Sequence, residues 1–181
     1  MFGLPTTVDI AGVEYEIRSD FRDILEICTA LNDPELSDQE KTWITLLIFY
    51  PKLQDIPMEH MQEAVDKCMW FINCGEAPDG TKAPKLIDWE QDYNFVVAAV
   101  NRVAGTEVRS VENLHWWTFI GYYQEIGECT LSHIVSIRYK RSRGKTLEKH
   151  EQEWLRENRK LVDFKTKYTS AEEEFFKEWG G

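Results

Sequence analysis

Gly144-Lys145-Thr146 has the ending of a phosphate-binding loop. Such a loop needs a glycine five residues before the glycine of its Gly-Lys pair, so that backbone N–H groups can cradle phosphate. Here that position is Tyr139 and no apolar strand leads into it, so the motif is rejected. Cys68 and Cys74 are too far apart for a Cys-x-x-Cys pair and have no accompanying histidine cluster, which argues against zinc. His60, His133 and His150 fall on helical stretches without complementary spacing, and His115 precedes two tryptophans. Surface or tucked-in imidazoles suit these places better than catalytic ones. No G-x-S-x-G, H-E-x-x-H or dinucleotide fingerprint occurs. The paired acids Glu14/Glu16 and Glu172–Glu174 read as solvated faces. The residues therefore point to a chain that works without catalysis, cofactor or metal.

Charge is the other chemical signal. The net charge of −11 is unevenly spread: residues 1–137 hold 9 Lys/Arg against 23 Asp/Glu, and residues 138–167 hold 11 against 5. Residues 168–181 turn acidic again, with 1 against 4. Arg138, Lys140, Arg141, Arg143 and Lys145 could neutralise phosphates. An acidic body opposes approach to nucleic acid, and no nucleic-acid module accompanies the basic run. Contact with acidic protein surface, including another copy of the chain, explains both halves of the pattern. The candidate partner-binding residues are Arg138, Lys140, Arg141 and Arg143, with Trp154 and the terminal Phe175, Phe176 and Trp179.

These residues must be positioned by helices. Val111 to Tyr139 holds the densest aromatic cluster, with Trp116, Trp117, Phe119, Tyr122 and Tyr123. A helix apolar all round is normally a buried one, so this stretch is expected to run as a central helix from Ser110 to Gly127, with Trp116 and Trp117 in the core. Around it the chain alternates as a hairpin over 7–17 with an Ala11-Gly12 turn. The hairpin would either lie on the helices as a lid or offer an edge to another chain. Ser19 or Asp20 caps a first helix, with Phe21, Ile24, Leu25, Cys28 and Leu31 at helical spacing. Ser37 and Glu40 form a capping box for a second, buried helix that stops at Pro51. Pro57 opens a third, with Met58, Met61, Val65, Cys68, Met69 and Ile72 on one face and Gly75 at its end. Residues 76–85 form a turn-rich loop. Asp88 caps a fourth helix organised by Trp89 and Tyr93 and stopped by Gly105, roughly 25 Å long. Thr130 caps a further helix with Leu131, Ile134 and Val135 inside. Beyond Arg138 the chain is expected to break at Gly144 and then form a polar helix from Thr146 to Leu161 that extends from the body or is ordered by a partner. The acidic-aromatic end reads as a docking segment or as a helix folded back on the body.

No run of about 18 apolar residues suggests a membrane span, and the first residues lack the pattern of a secretion signal. The four cysteines then read as reduced core residues in a cytosol.

Four stretches together carry a family resemblance: Asp20-Phe21-Arg22-Asp23; Leu36 to Lys41; Met69-Trp70-Phe71-Ile72-Asn73-Cys74-Gly75; and Asp88 to Tyr93 followed by Leu114-His115-Trp116-Trp117. Over Val13 to Lys160 the chain resembles a family of small tail-region proteins from long-tailed phages and prophages of Gram-positive bacteria. The resemblance implies a tail assembly chaperone that coats the tape-measure protein in the host cytoplasm before the tail tube polymerises, and that associates with other copies of itself. It transfers no catalytic residues. A structural tail or head-to-tail connector subunit and a host-directed regulator are the alternatives.

The expectation for the fold is mainly α: a bundle of six or seven helices with a small N-terminal β-hairpin. Residues 1–137 form the acidic helical body and residues 138–181 an extended C-terminal helical arm, basic and then acidic.

Overall fold

A computed structural model describes residues 3–76, 83–168 and 172. Among the described residues there are eight α-helices and one two-stranded antiparallel hairpin, so the chain is mainly helical as expected. It divides into two compact units. Among the described residues the first holds 3–76, His115–Trp117 and 166–168; the second holds 83–114 and Thr118–Lys165.

In the first unit, β1 (Thr7–Ile10) pairs with β2 (Val13–Glu16) through a two-residue turn. Ala11 and Gly12 both have positive φ, 52° and 82°, as a tight hairpin matching the twist of its strands requires. Val8 and Ile10 are buried while Val13 stays exposed, so β1 supplies the packed face. The side chain of Asp20 accepts from the Arg22 N–H and caps α1 (Phe21–Leu31). Phe21, Ile24, Leu25 and Ile27 form its buried stripe, with Ile27 where Cys28 was expected.

Ser37 and Glu40 complete the expected capping box of α2 (Asp38–Phe49). This helix corrects the expectation of all-round burial. Thr45, Leu46 and Phe49 face inward, but Trp43 is 43 % and Leu47 59 % exposed. Seven apolar residues among the eight from Trp43 to Tyr50 exceed what one packed face can cover. Pro57 leads into a 3₁₀ turn, Met58–His60, rather than into α3 (Met61–Ile72) directly. The inner face of α3 is consequently Ala64, Cys68 and Phe71, and Met58 is 71 % exposed. Gly75, at φ 88°, ends the helix, its N–H donating to the Trp70 carbonyl. Of the expected 76–85 loop, residues 77–82 lie outside the described residues.

In the second unit, Asp88 caps only a turn, accepting from the N–H groups of Glu90 and Gln91. Helix α4 therefore runs from Tyr93 to Ala104, shorter than expected, and ends at left-handed Gly105. Val96, Val97, Ala99 and Val100 are its buried face. The Glu107 carboxylate holds a 3₁₀ turn at Val108–Ser110 by accepting from the Arg109 N–H. For this reason α5 starts at Trp116 and not at Ser110; it ends at Gln124. Helix α6 (Thr130–Ser142) is capped by Cys129 instead of Thr130, with Leu131, Ile134 and Ile137 inside. Glu148 caps α7 (Lys149–Glu157), and α8 (Arg159–Val162) follows at once. The polar stretch begins its helix at Lys149 rather than Thr146, and it packs on α6 instead of extending outward.

Candidate protein interface

The distinctive pieces of sequence, Trp70 to Gly75 and His115-Trp116-Trp117, meet each other in the first unit. A helix ends with carbonyls that have no intrahelical partner. At the end of α3 the Ile72 carbonyl accepts from the indole N–H of Trp116 and the Phe71 carbonyl from that of Trp117, each at 2.9 Å. Trp116 is buried and Trp117 half-buried. His115 sets their approach: its Nδ1 accepts from the Trp117 backbone N–H, so its Nε2 carries the proton and donates to the Pro5 carbonyl at 2.9 Å. Backbone pairing of Trp116 with Ser19 ties the same tripeptide to the start of α1. A Cβ on Gly75 would lie 3.2 Å from the Trp117 ring. The motif residues thus lock helix ends together.

The basic stretch is resolved into internal pairs within the second unit. Arg138 is buried on α6, and every N–H of its guanidinium has an acceptor. Nε donates to the Val162 carbonyl, Nη1 to Leu86 and Asp92, and Nη2 to Asp92 and Leu161. The Phe164 ring covers the guanidinium at 4.0 Å. Arg138 was expected on a partner-facing arm; it is instead the buried counter-ion of Asp92. Lys140 pairs with the buried Glu151 of α7 at 2.6 Å, and Arg141 with Asp163 at 2.6 Å. Hydrogen bonds from Lys140 and from the Glu148 backbone hold the Glu151 carboxyl below the usual range. Trp154, also expected at a partner, is half-buried with its ring 4.6 Å from that of His133. Trp89 and Tyr93 are half-buried, with Trp89 against Tyr123 at 5.4 Å. Phe175, Phe176 and Trp179 lie outside the described residues.

Of the candidate cations, Arg143 is the one left outward. It and Lys145 flank the ring of Tyr139, at 6.0 Å and 4.9 Å, and neither has a carboxylate partner among the described residues. Tyr139 is 39 % exposed and lines a shallow groove of about 430 Å³ with Leu86, Tyr123, Ile126 and Val135. Within the first unit a second groove, about 450 Å³, runs between α2 and α3. Thr42, Trp43, Leu46, Met61 and Val65 line it. Leu47 stands one turn beyond Trp43, outside the packed face.

These two surfaces suit reversible protein contact: apolar anchors with a polar rim. Burial raises the thiol of Cys28 to about 11 and that of Cys68 to about 12, so neither is a ready nucleophile. Among the described residues no three His, Cys, Asp or Glu are placed to hold a metal ion, and no helix is long and apolar enough to cross a membrane. Sequence reasoning missed that Trp43, Leu47 and Tyr139 stand exposed and that Asp92 partners Arg138. The signals available were the excess of apolar residues in α2 and the run of acids Asp88, Glu90 and Asp92 at the start of α4.

The family model described as Bacteriophage Gp15 protein matches residues 3–164. No curated protein and no solved structure matches the chain.

Proposed function

The chain belongs to the bacteriophage Gp15 protein family, and from that premise we propose that it is a tail assembly chaperone. In this reading it binds the tape-measure protein in the host cytoplasm, before the tail tube polymerises, through reversible contacts that need no cofactor and no chemistry. The observation that carries the reading is the open apolar face of α2. A tape-measure chain is long, helical and apolar in places, so it would aggregate unless its exposed faces were covered. The α2–α3 groove offers Trp43 and Met61 as anchors for one face of such a helix. Methionine beside an aromatic ring adapts to varied apolar partners. The net charge of −11 keeps a chain with such a face soluble.

The test is co-expression of the full chain with overlapping fragments of a phage tape-measure protein, followed by co-purification and mass determination. Capture of a fragment by the wild type, lost on Trp43→Ala with Leu47→Ala, supports the reading. Absence of capture from a well-folded sample, together with the chain's presence in purified particles at fixed copy number, would overturn it in favour of a connector subunit.

A further inference from the structure

We propose that the groove bearing Tyr139 receives residues 173–179 of a second copy of the chain. The groove has apolar walls from Leu86, Tyr123, Ile126 and Val135 and a volume of about 430 Å³, enough to take a few side chains. Two cations adjoin its Tyr139 wall. Arg138, Lys140 and Arg141 are spent on Asp92, Glu151 and Asp163. Arg143 and Lys145 lie against the Tyr139 ring and have no carboxylate partner among the described residues. Gly144, at φ 64°, fixes this arrangement by ending α6 so that the Lys145 N–H donates to the Lys140 carbonyl. The fitting ligand is therefore an acidic segment that also carries large apolar rings.

Residues 173–179 read Glu-Glu-Phe-Phe-Lys-Glu-Trp, which is that chemistry in one heptapeptide. Phe175, Phe176 and Trp179 supply rings for the groove, and Glu173, Glu174 and Glu178 supply charge for Arg143 and Lys145. Head-to-tail contacts of this kind do not close on themselves and can extend into a row. The inference deepens the proposed function, since a chaperone of a long client must multiply along it, and it rests on that reading for its purpose.

Sedimentation velocity across concentration and salt tests it with full-length chains. One variant carries Arg143→Glu and Lys145→Glu; the other carries Phe175→Ala, Phe176→Ala and Trp179→Ala. The wild type is expected to self-associate at low salt and dissociate at high salt. Each variant alone, with helical content unchanged by circular dichroism, is expected to associate about tenfold or more weakly. Mixing the two variants leaves one intact groove and one intact segment, so a one-to-one heterodimer should form. A wild type that stays monomeric, or a mixture that stays monomeric, overturns the proposal. Tape-measure capture is read separately on the same samples. Capture without self-association would sink this inference alone, and self-association without capture would sink the chaperone reading alone.

Discussion

Arg138 grips Asp92 with both guanidinium ends, Nη1 at 2.5 Å and Nη2 at 3.1 Å, although 46 residues separate them. The pair ties the start of α4 to the last turns of α6. Three carbonyls, of Leu86, Leu161 and Val162, depend on the same guanidinium. A charge so enclosed is fixed in place by its partners and cannot serve as a mobile docking residue.

Arg138→Met should therefore destabilise the second unit by about 3–5 kcal/mol, because it leaves a buried carboxylate without its counter-ion. Adding Asp92→Asn should recover only part of this loss, since the three carbonyls still lack a donor. Chemical denaturation of the two variants beside the wild type checks both statements. A full recovery in the double variant would mean that the carbonyl bonds contribute nothing.

The α3 lock makes a second prediction. Gly75→Ala forces a side chain into left-handed backbone and against the Trp117 ring, costing about 1–3 kcal/mol. Trp117→Phe removes the donor to the Phe71 carbonyl and costs about 1–2 kcal/mol. The smaller ring also leaves room beside residue 75, so the double variant should lose less than the sum of the singles. Additive losses in a double-mutant cycle would show that the close approach of Gly75 to Trp117 carries no strain.

What was legible in the sequence was local. The Ala11-Gly12 turn, the Asp20 cap, the Ser37–Glu40 box and the stops at Gly75 and Gly105 each depend on a few neighbouring residues, and each stands where its chemistry placed it. What failed depended on distant partners. Arg138 looks like part of a basic surface run until Asp92 is brought to it. The exposed side of α2 cannot be told from its buried side when nearly every residue is apolar. Glu107 diverts the chain after Gly105 into a 3₁₀ turn, so α5 begins six residues beyond Ser110.

Acid should undo the contact between α6 and α7. The folded Glu151 carboxyl lies below its ordinary value because Lys140 and the Glu148 N–H bond its charged form. A depressed folded value means that the stability is present above the unfolded value, about pH 4.3, and is lost as pH falls through the folded one. Lys140→Met should thus lower the melting temperature at neutral pH. The gap from wild type should narrow below about pH 4 and close once Glu151 is protonated in both. Thermal melts of the two proteins between neutral and acidic pH check this. A gap independent of pH would assign the effect to packing of the lysine stem.

The α2 face offers the sharpest separation of stability from binding. Trp43 and Leu47 lie outside the packed side of the helix, so replacing each by alanine should change stability by no more than about 0.5 kcal/mol. Buried in a complex, the same tryptophan would be worth about 2 kcal/mol or more, or roughly thirtyfold in affinity. Phe49, on the inner side of the same helix and away from the groove, is the control: Phe49→Ala opens a cavity and should cost about 3–5 kcal/mol whether or not a partner is present. Titration of a captured tape-measure fragment, with melts of each variant alongside, reads both quantities. Unaltered fragment affinity in Trp43→Ala with Leu47→Ala would exclude this face as the client site. Equal destabilisation by Phe49→Ala and Trp43→Ala would instead show that α2 is more deeply packed than its open side indicates.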